Sequence, residues 1–145
     1  MSKPHKIHHH VPRASPPPAS SRYAHAVQAA GWLHVTGQLP TDPDDPAAPL
    51  RPGIAAQAEM CFENIARILD HTGYALDDAV FVRIYLRAFE RDFAAFNAVY
   101  ARHFPSDRSP PGRTTVGVAA LGRGALVEID LVCYKPEDGR TDGAV

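Results

Sequence analysis

The chain is 145 residues long, the size of one domain, and 45% of it is hydrophobic, enough for a core and too much for a disordered chain. Its 15 Lys and Arg against 16 Asp and Glu leave a formal net charge of -1, which removes the general electrostatic case for a nucleic-acid binder or a polybasic membrane protein. No apolar stretch approaches the ~20 residues that span a bilayer, Met1 to Val11 has no apolar signal core, and Cys61 and Cys133 lack metal-ligand spacing, so a cytoplasmic protein working with ordinary side chains is expected.

Residues 1–21 carry Pro4, Pro12, Pro16, Pro17 and Pro18 and read as a proline-rich flexible arm, with His8, His9 and His10 as part of a solvated tail rather than a metal site. Residues 22–136 read as the single folded domain, and 137–145 as a flexible tail. Tyr23 to Val27 and Trp32 to Thr36 read as two strands joined at Ala30-Gly31. Pro40, Pro43, Pro46, Pro49 and Pro52 then mark a long acidic surface loop. From Ile54 the spacing changes to threes and fours through Ala58, Cys61, Phe62, Ile65, Ile68 and Leu69, one apolar face of a helix ending at Gly73. Ala79 to Phe89 reads as a buried strand. Asp92 is the expected N-cap of a second helix bearing Phe93, Phe96, Val99, Tyr100, His103 and Phe104. A closing hairpin is expected from Arg113 to Ala120 and Ala125 to Tyr134.

This β-β-α-β-α-β-β order predicts an α+β domain with two helices on one face of a mixed sheet. A domain of this size has nothing else to lay on the other face, so water or another copy of the chain must cover it. In the expected hairpin, alternation sets Arg113, Thr115 and Gly117 apart from the apolar residues of their arm, and Glu128 and Asp130 apart from Val127, Ile129 and Leu131. Arg113 would then share a face with two carboxylates. A structural ion pair at a subunit interface explains that arrangement; so does a site in which a guanidinium clamps a small carboxylate and a carboxylate accepts a proton from water.

Five segments in order resemble the Rid (YjgF-type) family of reactive enamine/imine deaminases. Thr36-Gly37-Gln38-Leu39-Pro40 resembles its S-G-Q-I/L-P, and Gln57 with Asn64-Ile65 resembles its spaced Q and N-I/V. Asp92-Phe93 with Asn97 and Tyr100 resembles D-F-xxx-N-xx-Y/F. Pro111-Gly112-Arg113 resembles P-x-R, and Val127-Glu128-Ile129-Asp130 resembles the final I/V-E-I/V-E/D. The resemblance implies a chorismate-mutase-like fold and a homotrimeric, barrel-like assembly with sheets inward and sites at subunit interfaces. It implies hydrolysis of 2-imino acids such as 2-iminobutanoate and 2-iminopropanoate to 2-keto acids and ammonia, with no cofactor and no metal. Arg113 would hold the substrate carboxylate and Glu128 the attacking water, while Tyr23, Thr36 and Thr115 would line the site. Arg22, Ala24 and His25 depart from the N-terminal pattern, Thr115 replaces a frequent Cys, and Leu121-Gly122-Arg123-Gly124 replaces a usual L-P, departures that leave room for a preferred substrate other than the small 2-imino acids. The alternatives are a non-catalytic trimeric binder of small carboxylate metabolites and, with less support from the charge, RNA cleavage; no membrane partner is expected.

Overall fold

The computed structural model describes residues 5–137. Six strands form one sheet: β1 (Ile7–His9), β2 (Ala26–Ala29), β3 (Trp32–Gln38), β4 (Ala79–Leu86), β5 (Gly112–Gly117) and β6 (Val127–Tyr134). Helices α1 (Ile54–Thr72) and α2 (Phe89–His103) complete the fold. The sheet is mixed, in the order β1-β2-β3-β6-β4-β5, with only the β4–β5 pair parallel.

Local chemistry explains the elements that position the site. Ala30 and Gly31 both take positive φ, 50° and 87°, as a two-residue turn matched to strand twist requires. The apolar stripe of α1 buries Ile54, Ala58, Cys61, Phe62, Ile65, Ile68 and Leu69, and the helix stops where Gly73 turns left-handed at φ 80°. Its two buried amides serve as fasteners. Asn64 donates to the carbonyls of Leu39 and Thr41, at 3.0 and 2.8 Å, while Gln57 donates to the Arg51 carbonyl and accepts the Leu126 N–H. The loop after β3 and the turn before β6 are thereby held to one helix. The helices cover one sheet face, where Leu33, Val35, Val82, Ile84, Leu86, Val127, Ile129 and Leu131 join the core. Trp32, Phe81, Val116 and Tyr134 remain more than a third exposed within the single chain.

Three expectations are corrected. The arm is not simply an appendage: Ile7–His9 pairs antiparallel with β2, and Val11 and Ala14 are buried in the core. Its fastener is His25, whose Nδ1 accepts the Val11 N–H at 2.8 Å, so Nε2 carries the proton and donates it to the Ser15 carbonyl at 2.8 Å. Proline excludes ladder donation only at its own residue, and Ile7–His9 contains none. The closing hairpin is also absent, because β4 lies between β5 and β6. A β4-α2-β5 crossover makes β5 parallel to β4, with Arg113 beside Val82 and Thr115 beside Ile84. Finally, α2 begins three residues before Asp92, whose N–H already donates to the Ala88 carbonyl. The expected tail lies outside the described residues apart from Glu137. Among the described residues, no helix is long and apolar enough to cross a membrane.

Candidate active site

Alternation along β6 buries Val127, Ile129, Leu131 and Cys133 under the helices and turns Glu128 and Asp130 to the opposite face. Their β4 neighbours are Tyr85 and Arg83. Asp130 is fully engaged: it accepts from Arg83 Nε at 2.7 Å and from the Tyr85 hydroxyl at 3.0 Å. The ion pair found here is Arg83–Asp130 within one chain, not the expected pair of Arg113 with a carboxylate at a subunit interface.

Glu128 is different. It is half-buried and makes no side-chain hydrogen bond or ion pair with another described residue. Burial, and then the negative charge of Asp130, push its carboxyl above the usual glutamate range. It lies on the backbone of β3 at Gly37, where an added Cβ would stand 2.8 Å from Glu128 Oε2. Only a residue without a side chain leaves that space. The Tyr23 phenol is raised by burial and by Glu128, which places the two groups within electrostatic reach. Thr36 does not present a free hydroxyl: it donates to the Ala24 carbonyl at 2.6 Å, while its N–H donates to the His25 carbonyl. Thr36 thus holds the segment carrying Tyr23 against β3. Tyr23 and Gly37 line a cavity of about 360 Å³ together with Pro16, Thr41 and Arg123.

Arg113 stands elsewhere. Its contacts turn it to the helix-covered side at the β5 edge of the sheet, so within one chain it does not share a face with Glu128 and Asp130. This corrects the expectation built on the hairpin. Its Nε donates to Thr115 Oγ1 at 2.8 Å and its Nη2 to Asn97 Oδ1. The guanidinium carbon lies 4.4 Å from the Tyr100 ring centroid and 5.4 Å from that of Phe96. Burial lowers its pKa, with Tyr100 opposing. These partners are neutral, and among the described residues no carboxylate lies within ion-pair distance of Arg113. The guanidinium is therefore oriented without being neutralised, and Nη1 is free to meet an anion.

Thr115 is thus a support for Arg113, as are Asn97 and Tyr100, which sequence reasoning placed in a motif and on an apolar stripe without giving either this task. Their spacing of three on α2 puts them on one helix face and was the available signal. Among the described residues no group of three or more His, Cys, Asp or Glu side chains could hold a metal ion.

A family model described as Endoribonuclease L-PSP matches residues 13–135. The chain is 37% identical to the mitochondrial protein Mmf1 of Saccharomyces cerevisiae over 119 residues, 82% of this chain and 79% of that one. It is 36% identical to a protein of Acinetobacter baylyi named 3-aminoacrylate deaminase RutC over 124 residues, 86% of this chain and 94% of the other. The crystal structure of RidA from the Antarctic bacterium Psychrobacter superposes with a TM-score of 0.79 at 34% identity, covering 89% of this chain and 99% of that one.

Proposed function

The chain belongs to the Rid (YjgF) family, which includes deaminases, and from that premise we propose that it hydrolyses 2-imino acids to 2-keto acids and ammonia at sites formed between copies of itself. One observation carries the proposal. Arg113 and Glu128 are opposite charges, each partly buried and each without an opposite partner among the described residues, on opposite faces of one sheet. Burying a charge without compensation is costly. An assembly that brings Arg113 of one copy toward Glu128 of the next, with substrate between, resolves both at once. The exposed Trp32, Phe81, Val116 and Tyr134 give such an assembly apolar surface to bury. A homotrimer satisfies these requirements with three equivalent sites.

The chemistry follows from the groups. Arg113, lying over Tyr100 and steadied by Asn97 and Thr115, binds the substrate carboxylate and fixes the C=N carbon. Glu128 removes a proton from water as the oxygen attacks that carbon. In the carbinolamine so formed the nitrogen takes the proton held by Glu128, the C–N bond breaks as the hydroxyl oxygen closes to the carbonyl, and the hydroxyl proton passes to the Glu128 carboxylate, releasing the 2-keto acid and ammonia. A carboxyl held above its ordinary range by burial and by Asp130 releases and takes up a proton in turn, as both halves of that exchange require. Tyr23 borders the same space. RNA cleavage, named in the family description, is less well served: the formal net charge of -1 offers no general cationic track.

The test is a coupled assay of 2-iminopropanoate generated in situ, comparing parent, Arg113→Ala and Glu128→Gln. Loss of a charge-assisted contact in a partly enclosed site costs about 2–5 kcal/mol, so both variants are expected to clear the imine hardly faster than buffer. Parental rates in either variant, with the fold intact, would refute these roles. Binding of pyruvate without turnover by the parent would leave a carboxylate binder in place of an enzyme.

A further inference from the structure

The turn before β6 carries a second cation without an ion-pair partner among the described residues. Arg123 sits between Gly122 and Gly124 with φ 59° and ψ 17°, a left-handed conformation that a non-glycine residue adopts at a cost. Its Nη1 donates to Thr41 Oγ1 at 3.2 Å and its Nη2 to the Ala48 carbonyl at 2.9 Å. Both acceptors are neutral. Acids are close in sequence on the same loop, yet Asp44 is engaged by Arg67 at 3.0 Å and Asp42 accepts the Asp44 N–H. Among the described residues none pairs with Arg123.

The guanidinium is aimed by its tether. Thr41 and Arg123 both line the cavity of about 360 Å³ that Tyr23 and Gly37 also line, and Gly37 is the residue on which the Glu128 carboxylate lies. Pro16 to Pro18 give the cavity a stiff apolar stretch of wall, beside the polar Ser15 and Gln38. The cavity thus shares Gly37 with the proposed base, and Arg123 contributes to its lining a cation whose remaining N–H groups make no hydrogen bond among the described residues. A guanidinium held by neutral acceptors keeps its full charge for an incoming anion.

We infer that Arg123 is a specificity-determining residue that binds a second acidic group on the substrate, so that the preferred 2-imino acid carries a side-chain carboxylate. This rests on the proposed reaction, in which Arg113 of a neighbouring copy takes the α-carboxylate. The distal carboxylate then lies on Arg123, with the imine carbon between them, near Glu128.

Two measurements separate the inference from the reaction it rests on. The first is calorimetric binding of 2-oxoglutarate and of 2-oxopentanoate, a similar-length product lacking the second carboxylate, to the full chain. The parent is expected to favour 2-oxoglutarate by about tenfold, the scale of one charge-assisted contact at an accessible site. Arg123→Gln is expected to abolish the preference while leaving 2-oxopentanoate binding within twofold. Arg123→Lys, which keeps the charge, should retain most of it. Equal binding of the two acids by the parent, an undiminished preference in Arg123→Gln, or the same loss in Arg123→Lys as in Arg123→Gln overturns the anion role. The second measurement is turnover of the imines of glutamate and norvaline, generated in situ by an amino-acid oxidase. A parental preference for the glutamate imine that Arg123→Gln removes supports the inference, and an equal slowing of both imines in that variant overturns it by reducing Arg123 to a structural tether. If neither imine is hydrolysed the deamination proposal fails, while the binding preference still decides the role of Arg123.

Discussion

Gly37→Ala separates the position of the proposed base from the stability of the fold. The new Cβ would stand 2.8 Å from Glu128 Oε2, 3.1 Å from Cδ and 3.4 Å from Cγ, and no backbone atom is among these nearest neighbours. Relief needs a retreat of the carboxylate by roughly half an ångström, set by ordinary contact distances between carbon and oxygen. The far end of a flexible side chain moves easily, and replacing glycine limits the unfolded chain by about 0.4–1 kcal/mol in favour of folding. The melting temperature is therefore expected to stay within a few degrees of the parent, about what 1 kcal/mol moves in a domain of this size. Catalysis is less tolerant: a displacement near 1 Å can cost about a hundredfold, so kcat for 2-iminopropanoate is expected to fall by roughly tenfold to a hundredfold. The coupled assay is run on Gly37→Ala, Glu128→Gln and the double variant. If the defect passes through the carboxylate, alanine slows the parent but adds almost nothing once Glu128 is glutamine. A parental kcat in Gly37→Ala, or the same slowing in both backgrounds, would refute the reasoning.

Two further outcomes follow from buried polar groups. Because the folded state holds the Glu128 proton more tightly than the unfolded state, the native carboxyl contributes most below the ordinary glutamate range, and that contribution is lost as pH rises through its elevated value. Glu128→Gln is thus expected to raise the melting temperature at neutral pH, with the gain vanishing in acid where the parent is also protonated; an equal gain at both pH values would contradict the direction of the shift. His25→Ala leaves the Val11 N–H and the Ser15 carbonyl without their partner, at about 1–3 kcal/mol for each buried group. Urea unfolding should show that loss, and hydrogen exchange of the amides in β1 should quicken; unchanged protection there would mean that His25 does not fasten the arm.

What was legible in the sequence was local. The steps of three and four from Ile54 to Leu69 mark α1, Gly73 marks its end, and Ala30-Gly31 marks the first turn, because each is decided by residues close together in the chain. The Rid motifs single out Arg113, Glu128 and Tyr23 as the residues of the proposed site, and the mixed sheet with two helices expected of the family is the fold observed. Pairing between distant strands was not legible. Arg113 and Glu128 looked like the two arms of a hairpin because only a short turn separates their strands, whereas β4 pairs with both and divides them. That insertion puts Arg113 and Glu128 on opposite faces of the sheet instead of one, and the proposed site between copies rests on that separation. The arm's prolines are conspicuous in the sequence, while its fasteners, His25 and the short β1 strand, depend on contacts that no periodicity records. The start of α2 is hidden for a similar reason: Asp92 resembles a cap, yet Phe89 is already helical and stacks on Phe93 at 4.7 Å.

The most direct test of a site shared between copies is complementation. Arg113→Ala and Glu128→Gln chains are each expected to be inactive alone. Unfolded together in equal amounts and refolded, they should form mixed oligomers in which about a quarter of the sites pair an intact Arg113 with an intact Glu128 from different chains, as random assembly of a symmetric oligomer requires. Recovery of about that fraction of parental activity toward 2-iminopropanoate is the predicted result. A refolded mixture no more active than either variant, from oligomers demonstrated to be mixed, would show that the two groups do not cooperate across copies.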